Sequence, residues 1–541
     1  MGEDDRLVLS TRPTAPPLTA LDAVVGWLRD AGHHVDVLGD QADIPADVPA
    51  DVSADIPADI SGVTLSSQRV QPGDLYAALP GARVHGIDFV DQAVAAGAVA
   101  VLTDEAGVAR WAEQRAGSAG SGSVPVISVA DPRSVLGLVS ARIYGEPTRA
   151  MTMIGVTGTQ GKTTTTRLAE AGLLSAGVPA AVIGTVGTRI AGQDVKTSLT
   201  TPEAPDLHGL FALMRERGVA ACAMEVSSHA LVLGRVDGVV FDVAVFLNLG
   251  RDHLDFHHDV EDYYQAKASL FTPEHARLAL VNIDDEHGRS LASETVLPVR
   301  TFSAQGRDAH WSAHRVNPDD SGSRFVVRPP DGAPELEAAV PLPGLFNIEN
   351  ALAAIAACGE AGFDVGRVTA GLRAADVPGR MQRIEQGQPF TVVVDFAHKP
   401  DAVTAAIDAL RKVAEHRGGR VIVVLGAGGD RDRGKRPVMG EIAARLADVF
   451  IVTDDNPRTE DPAEIRAAVR SGAAHGPAEV VEIGDRREAI RRAVELAAPG
   501  DVVLIAGKGH ETGQEIDGVV HPFDDRQVTE AALASLSGGD A

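Results

Sequence analysis

Residues 157–164 read Thr157-Gly158-Thr159-Gln160-Gly161-Lys162-Thr163-Thr164. An apolar run at 151–156 precedes this stretch, and a helical pattern follows it over 162–176. In a glycine-rich turn between a strand and a helix, backbone N–H groups can surround phosphate oxygens, and the helix N-terminus adds positive potential. The stretch therefore predicts a phosphate-binding loop at the end of a buried strand.

Two side chains of this loop suit a nucleoside triphosphate. Lys162 supplies a point charge for the β- and γ-phosphates, and Thr163 can bind Mg²⁺ through its hydroxyl. The strict P-loop pattern has glycine at position 156, where this chain has Val156. The alternative is an ordinary turn rich in Gly and Thr, but the strand–loop–helix context favours nucleotide binding.

Strand and helix patterns alternate outward from this loop, which indicates a parallel sheet covered by helices. Strands of this central block are predicted at 179–183, 220–226, 243–248 and 278–283. A second block of strands is predicted at 391–395, 420–425, 449–453, 479–483 and 501–506, with helices near 401–415, 435–447, 461–473 and 485–497. The second block resembles a doubly wound sheet of the Rossmann type, in which ligands lie at the carboxyl ends of strands.

The length of 541 residues suggests about three domains. The predicted fold class is α/β, with a small mixed α/β N-terminal domain, a central parallel-sheet ATPase domain of the P-loop type and a C-terminal Rossmann-like domain. The predicted boundaries are 62–150, 151–378 and 379–541. Residues 1–61 are predicted to be a flexible tail, because they include an Asp/Pro-rich repeat at 42–60.

The net charge of −26 argues against nucleic acid and anionic membrane surfaces as partners. The N-terminus lacks the pattern of a signal peptide, and no apolar run is long enough to span a bilayer. The two cysteines, Cys222 and Cys358, lie in apolar runs and are expected to be buried and reduced. We expect a cytoplasmic monomer that acts on small molecules, without membrane insertion.

Three polar side chains follow apolar runs of the central block: Glu225, His253 and Lys267. Each has a plain alternative, namely a helix-capping acid, a surface histidine and a solvated helix lysine. Downstream of a phosphate loop, the three together have the pattern of hard-metal ligands around ATP.

The loop variant Thr-Gly-Thr-x-Gly-Lys-Thr resembles that of the Mur ligase and folylpolyglutamate synthetase superfamily. The motifs from about residue 62 to 530 follow the Mur ligase order. The resemblance implies an ADP-forming ligase that activates a carboxylate as an acyl phosphate, with ATP and Mg²⁺ as cofactors. It implies catalytic roles for Lys162, Lys267, His253 and Glu225, and metal binding by Thr163, Glu225, His253 and a carbamate on Lys267. Carbamylation is chemically reasonable, because an ammonium near Mg²⁺ loses its proton more easily and the neutral amine can take up CO₂.

The resemblance also implies an ATP site that spans two domains. Its residues are Gly158, Thr159, Gln160, Gly161, Lys162, Thr163, Thr164, Asn347, Asn350, Arg380, Asp395 and His398. Asn347 has the alternative role of a helix N-cap. Because the last three residues lie beyond the boundary at 378, ATP binding should require domain closure.

The sequence Asp455-Asn456-Pro457-Arg458 resembles the diaminopimelate-selecting motif of the Mur ligases that add the third peptide residue. The alternative is an Asn-Pro turn with a surface arginine. Under the resemblance, Arg431 and Arg458 clamp the distal carboxylate of diaminopimelate. Its distal ammonium would be held by Asp455, Glu511 and the carbonyl of Gly507, beside Asn456 and Pro457.

By the same resemblance, the UDP-sugar peptide would contact Leu65, Ser67, Thr200, Thr201, Ser227 and Arg235. The usual Asp-Ser-Arg is replaced here by Ser66-Ser67-Gln68, so the uracil contacts differ from the family pattern.

The function implied is ligation of 2,6-diaminopimelate, in its meso form, to the D-glutamate γ-carboxylate of UDP-N-acetylmuramoyl-L-Ala-D-Glu in peptidoglycan synthesis. A lysine-adding ligase of the same family is one alternative. A folylpolyglutamate synthetase is another, although residues 62–150 argue against it. The non-enzymatic alternative is a nucleotide-dependent binding protein.

Overall fold

The computed structural model describes residues 11–39, 59–115, 124–197, 199–254, 256–319 and 322–537. The stretch of small residues at 116–123, which the sequence predicts to be a surface loop, and nearly all of the repeat at 42–60 lie outside these residues. Within the described part, no helix is long and apolar enough to cross a bilayer.

The N-terminal lobe is a five-stranded sheet, ordered β2-β7-β6-β5-β4, with helices packed against it. Only the β2–β7 pair is antiparallel. The elements of this lobe are β1 (Thr19–Ala20), α1 (Leu21–Asp30), β2 (Asp36–Leu38), β3 (Asp59–Ile60), β4 (Gly62–Thr64), β5 (Asp74–Ala77), α2 (Val90–Ala95), β6 (Ala100–Thr103), α3 (Glu105–Arg115), β7 (Val126–Ser128) and α4 (Leu136–Ile143).

The prediction of a flexible tail over 1–61 is wrong for α1 and for β1 to β3. Helix α1 buries Leu21, Val24, Val25 and Leu28 in the core of the N-terminal lobe. These positions form a stripe with helical spacing, which the Asp/Pro repeat farther along the chain obscured.

The central lobe is an eleven-stranded sheet, ordered β11-β10-β9-β12-β8-β13-β14-β15-β16-β17-β18. Its elements are β8 (Thr152–Thr157), α5 (Lys162–Ser175), β9 (Ala180–Gly184), β10 (Gly187–Ile190), β11 (Gln193–Val195), α6 (Ala204–Glu216), β12 (Ala221–Glu225), α7 (Ser228–Val232), β13 (Val243–Phe246), α8 (Val260–Ala268), β14 (Ala279–Asn282), α9 (Glu286–Glu294), β15 (Val299–Ser303), β16 (Trp311–Asp319), β17 (Gly322–Arg328), β18 (Leu336–Val340), α10 (Leu345–Glu360) and α11 (Val365–Gly371).

The strands from β9 to β16 in this order pair in parallel, as the sequence predicts for the phosphate-loop region. Antiparallel strands extend both edges, namely β10 and β11 on one side and β17 and β18 on the other. The parallel prediction missed these edges, because their short strands are half exposed and lack a continuous apolar run.

The C-terminal lobe is a six-stranded sheet, ordered β19-β20-β24-β21-β22-β23. Its elements are β19 (Gln382–Arg383), β20 (Thr391–Asp395), α12 (Pro400–Arg417), β21 (Val421–Leu425), α13 (Lys435–Leu446), β22 (Val449–Val452), α14 (Pro462–Gly472), β23 (Glu479–Glu482), α15 (Arg486–Leu496), β24 (Val502–Ala506), β25 (Gly513–Ile516), β26 (Val519–Pro522) and α16 (Asp525–Ser537). The strand order reverses between β21 and β24, where such folds bind ligands. The five predicted strands and four predicted helices of this block are confirmed.

The two cysteines are buried thiols, as expected.

We expect acid to weaken the packing between the central and N-terminal lobes near His208 on α6. Its Nε2 lies 3.0 Å from the carbonyl oxygen of Asp237, a residue that packs against Gly137 of α4. Burial lowers the pKa of His208 to about 4. The fold therefore keeps the imidazole neutral. The stability gained from burying the neutral imidazole is fully present above pH 6.5, the usual pKa of histidine, and is lost as the pH falls toward 4.

We expect the free energy of unfolding to fall by roughly 2 kcal/mol more between pH 7 and pH 5 in the wild type than in His208→Gln, which cannot titrate. Denaturant unfolding at both pH values measures this difference. An identical pH dependence in the two proteins would contradict the assignment.

Candidate active site

The predicted phosphate loop joins β8 to α5. Gly158 and Gly161 have φ angles of +154° and +89°, which disfavour any side chain. A Cβ on Gly161 would lie 2.2 Å from Oδ1 of Asn350 on α10. The absence of a side chain at Gly161 therefore allows the loop to pack closely against α10. Thr164 is buried in the first turn of α5.

The side chain of Asn248 holds this loop in place. Its Oδ1 accepts hydrogen bonds from the backbone N–H groups of Thr159 (3.1 Å) and Gln160 (3.0 Å), and its Nδ2 donates to the Gln160 carbonyl (3.2 Å). The sequence analysis did not assign this role to Asn248, because its contact with the loop joins segments that are 89 residues apart.

Asn248→Ala removes these hydrogen bonds, each of which contributes about 0.5–1.5 kcal/mol. We expect the KM for ATP to rise about tenfold or more, with the KM of the amino-acid substrate unchanged. Initial-rate kinetics with each substrate varied in turn measures both values. Equal changes in the two KM values would indicate general destabilisation instead.

Two lysine side chains donate hydrogen bonds to the same backbone carbonyl group of the phosphate loop. Lys162 Nζ and Lys267 Nζ donate to the carbonyl oxygen of Gly158 over 2.7 Å and 3.0 Å. Burial lowers the pKa of Lys162 to about 8, opposed by Glu225. Burial, reinforced by the charge of Lys162, holds the pKa of Lys267 well below its usual value. The solvated-lysine alternative for Lys267 is wrong, since its side chain is buried and lies over the Tyr263 ring.

Glu225 ends β12 and is 1 % exposed. Its Oε1 accepts a hydrogen bond from the Thr185 N–H (2.8 Å), and its Oε2 accepts one from the Thr185 hydroxyl (3.1 Å). The alternative of a helix-capping acid is therefore wrong, because both bonds go to the segment after β9. Thr185 was absent from the predicted site.

His253 has a left-handed backbone conformation, with φ of +53°, and its Nε2 lies 3.1 Å from Oδ2 of Asp252. Burial lowers the pKa of His253 to about 4, although Asp252 opposes the shift. Asp252 also forms a close ion pair with Lys399 of the C-terminal lobe. Burial alone would raise the pKa of Asp252, but Lys399 and His253 lower it to about 2. Neither Asp252 nor Lys399 was predicted from the sequence.

The C-terminal lobe reaches the phosphate loop through Arg380. Its Nη2 donates to the hydroxyl of Thr163 over 3.3 Å, and its guanidinium lies 4.5 Å above the Phe396 ring. Asp395 supports this turn, since its carboxylate accepts from the N–H groups of Met381 (2.7 Å) and Ala397 (2.8 Å). Two lobes therefore already meet at the predicted ATP site.

The predicted ATP-site residues Asn347, Asn350 and His398 have partners within the protein. Asn347 donates to the Pro343 carbonyl over 2.8 Å. Gly344 directly precedes α10, so the N-cap alternative for Asn347 is wrong. Asn350 Nδ2 donates to Asn347 Oδ1 over 3.4 Å. Nδ1 of His398 lies 2.6 Å from the Phe396 carbonyl oxygen, and burial lowers the pKa of His398 to about 3.

Apart from Arg431, which follows β21, the predicted diaminopimelate residues lie where β22 and β24 end. Asp455 is 8 % exposed, and its Oδ2 has no hydrogen-bond partner among the described residues. That oxygen points at Gly507, where a Cβ would lie only 2.4 Å away. A buried carboxylate oxygen without a donor is costly, so this position suits a ligand ammonium.

Asn456 and Glu511 are joined by the buried ammonium of Lys508. Lys508 Nζ donates to Asn456 Oδ1 and to Glu511 Oε2, both over 2.9 Å, and Asn456 Nδ2 donates to the same Glu511 oxygen over 2.9 Å. Pro457 is buried beside them. Lys508 was not predicted as a site residue.

Arg458 and Arg431 differ in their surroundings. Arg458 Nη1 donates to the Gly429 carbonyl over 2.6 Å. Arg431 is exposed, but both arginines lie within 4 Å of the position of a Cβ built on Gly428. The structure therefore places the two predicted carboxylate clamps beside the same glycine.

The predicted sugar-peptide residues form two groups. Thr200, Thr201, Ser227 and Arg235 lie together, because Thr201 Oγ1 donates to the Glu225 carbonyl (2.8 Å) and Arg235 donates to the Thr201 carbonyl (3.3 Å). Thr200 Oγ1 lies 3.0 Å from Thr185 Oγ1, which links this group to Glu225. Leu65 and Ser67 lie apart in the N-terminal lobe, where Ser67 donates to Gln92 over 3.0 Å.

Two clefts lie between the N-terminal and central lobes, away from the phosphate loop. The larger has a volume of about 320 Å³, and the smaller about 160 Å³. Both are lined by Thr11, Arg69 and Asp206, and the second also by Lys196, Thr197 and Leu199. Arg69 and Asp206 form a 2.9 Å ion pair across the clefts. The sequence did not single out these residues.

The donor set for a metal is sparse. No three His, Cys, Asp or Glu side chains cluster as metal ligands in the described part of the chain. The predicted set includes one carboxylate (Glu225) and one imidazole (His253), with the hydroxyl of Thr163 and a modified Lys267. Such a set fits Mg²⁺, which is commonly bound by one or two carboxylates together with substrate phosphates.

Comparisons with known proteins cover all three lobes. Family models match residues 59–144 (Mur ligase family, catalytic domain), 156–358 (Mur ligase middle domain) and 379–509 (Mur ligase, glutamate ligase domain).

Two curated relatives named UDP-N-acetylmuramoyl-L-alanyl-D-glutamate–2,6-diaminopimelate ligase come from Streptomyces coelicolor and Corynebacterium glutamicum. They are 54 % and 50 % identical to this chain, and the matches cover 88 % of this chain and 93 % and 92 % of the relatives. A solved structure with the same enzyme name is 33 % identical, with a TM-score of 0.63, over 91 % of this chain and 98 % of the other. With matched models in every lobe and relatives at this identity, the chain belongs to the Mur ligase family.

Proposed function

We propose that the protein is an ADP-forming ligase of peptidoglycan synthesis that joins meso-2,6-diaminopimelate to UDP-N-acetylmuramoyl-L-alanyl-D-glutamate. The bond formed is an amide between the D-glutamate γ-carboxylate and an amine of diaminopimelate. The observation that carries the proposal is the meeting of two lobes at the phosphate loop, where Lys162, Lys267 and Arg380 surround Gly158 and Thr163. Relatives bearing this enzyme name share about half of their residues with the chain.

The loop supports phosphoryl transfer to the carboxylate. A carboxylate is a poor electrophile, so its oxygen first attacks the γ-phosphorus of ATP, ADP leaves, and an acyl phosphate forms. Backbone N–H groups of the loop and the Lys162 ammonium neutralise the charge on the moving phosphoryl group. Without nucleotide, the pKa of Lys162 is about 8. The negative charge of a triphosphate beside Lys162 would raise that pKa and keep the lysine charged.

Thr163, Glu225 and His253 would hold Mg²⁺, together with Lys267 once it is carbamylated. The ion would supply further positive charge at the phosphates. The low pKa of His253 keeps its imidazole neutral at pH 7, which is the form that binds metals. The depressed pKa of Lys267 likewise raises the share of the neutral amine, which is the form that reacts with CO₂.

The pocket at the ends of β22 and β24 would hold the incoming diamino acid. Asp455 and Glu511 accept from its distal ammonium, and Arg458 with Arg431 binds its distal carboxylate. The free amine at the other end then attacks the acyl carbon. A C–N bond forms, the bond to phosphate breaks, and the amine gives up a proton.

A phosphate-release assay with ATP, the UDP-sugar dipeptide and a panel of amino acids tests this function. We expect release to require all three substrates and to be fastest with meso-diaminopimelate, with lysine slower by about a hundredfold or more. Equal turnover with lysine would assign the protein to the lysine-adding ligases. Turnover with a folate and glutamate would support the folylpolyglutamate alternative.

Substrate labelled with ¹⁸O in the D-glutamate γ-carboxylate tests the acyl phosphate. One labelled oxygen should appear in the released phosphate, because the carboxylate oxygen that attacks ATP leaves with phosphorus. Unlabelled phosphate would contradict this intermediate.

A further inference from the structure

The hairpin formed by β25 and β26 is joined to the Asp455–Arg458 segment. Arg458 N–H donates to the Glu515 carbonyl (3.0 Å), and Asp517 N–H donates to the Arg458 carbonyl (2.7 Å). Glu515 N–H donates to Asn456 Oδ1 over 3.0 Å, and Gln514 Nε2 donates to the Asp455 carbonyl over 2.8 Å. The hairpin therefore contacts three residues of the proposed amino-acid pocket, although it lies beyond the residues matched by the family models.

These contacts support an unusual backbone conformation. Arg458 has φ of +53°, a region that residues other than glycine rarely occupy without support from their surroundings. The flanking hydrogen bonds from Glu515 and Asp517 provide that support. The direction in which the Arg458 side chain leaves the backbone therefore depends on the hairpin.

The hairpin also contacts the guanidinium of Arg458. Oε2 of Glu515 lies 3.2 Å from Arg458 Nε, while Nη1 donates to the Gly429 carbonyl over 2.6 Å. The Nη2 amino group has no acceptor among the described residues. Two fixed points thus orient the planar group and leave one amino group for a ligand carboxylate.

We propose that Glu515 is a positioning residue for amino-acid specificity, which acts by holding Arg458 in the orientation that binds the distal carboxylate of the diamino acid. This inference rests on the proposed function of Arg458. The Arg458 charge also offsets that of Glu515, so the pocket does not repel the substrate carboxylate.

Steady-state kinetics of Glu515→Ala tests the proposal, with Glu441→Ala on the exposed face of α13 as the matched control. We expect Glu515→Ala to raise the KM for diaminopimelate about tenfold, with kcat and the KM for ATP within about twofold of wild type. The control should leave all three values unchanged. In an Arg458→Ala background, Glu515→Ala should cause no further rise in the KM for diaminopimelate, because both changes remove the same interaction.

An unchanged or lower KM for diaminopimelate in Glu515→Ala would overturn the proposal. So would an equal rise in the KM of every substrate, or a full effect in the Arg458→Ala background. A wild-type protein that does not use diaminopimelate would refute the proposed function, and this inference with it. Wild-type activity with an unaltered Glu515→Ala variant would refute the inference alone.

Discussion

Lys267→Ala is expected to lower kcat by about 10²–10³-fold, with partial recovery when a short-chain carboxylic acid such as acetate is added. The Lys267 side chain is 1 % exposed, and its amine shares the Gly158 carbonyl with Lys162. Two ammonium groups so close to each other and so far from water are unfavourable, and the pKa of Lys267 is accordingly low. Conversion to a carbamate replaces this repulsion by an attraction to Lys162.

The alanine variant lacks the amine that would carry the carbamate, but it leaves space for a small carboxylate beside the loop. Rescue by acetate therefore separates loss of a negative group from loss of packing. Lys412→Ala on α12 is the matched control, because Lys412 is exposed. Full activity of Lys267→Ala, or a loss that no carboxylate relieves, would contradict the role assigned to Lys267.

Arg458→Ala is expected to lower kcat/KM for diaminopimelate by about 10²–10³-fold while leaving the low activity with lysine nearly unchanged. Loss of the charge-assisted hydrogen bond that Arg458 Nη2 would donate costs about 1.5–3 kcal/mol, and loss of the guanidinium charge that neutralises the distal carboxylate adds to this cost. Lysine has no distal carboxylate, so it gains nothing from Arg458. Arg458→Lys should recover only part of the activity, because a single ammonium cannot reproduce the planar fork.

Competition between the two amino acids in a phosphate-release assay measures this preference. Arg445→Ala is the matched control, since Arg445 is exposed on α13 of the same lobe. A proportional loss with both amino acids would show that Arg458 supports the lobe as a whole and does not select the substrate.

The fold was most predictable where the strands are buried on both faces. Strands such as β20 and β24 are continuous apolar runs, and these runs determine both their position and their parallel pairing. Helix α1 was missed because an acidic, proline-rich repeat follows it. The hairpin of β25 and β26 was missed because its four-residue strands are not buried and contain no long apolar run.

The site was predictable where functional side chains follow the ends of strands, as with Glu225 and Asp455. Residues that act through tertiary contacts gave no such signal. Asn248 contacts the phosphate loop, Lys399 contacts Asp252, and Glu515 contacts Arg458. Each of these contacts joins residues that are far apart in the sequence. Their roles depend on the pairing of elements, which spacing within a motif does not reveal.

The most direct test of the central claim is a crystal structure of the protein with ADP and the UDP-sugar tripeptide product. The claim is that the central and C-terminal lobes form one cleft, in which the activated carboxylate meets the diamino acid. We expect the ADP β-phosphate against the backbone of residues 158–163, the distal carboxylate of the third residue on Arg458, and the new amide bond between them near Lys267. ADP and tripeptide bound on separate surfaces, with Lys267 and Arg458 facing different clefts, would contradict it.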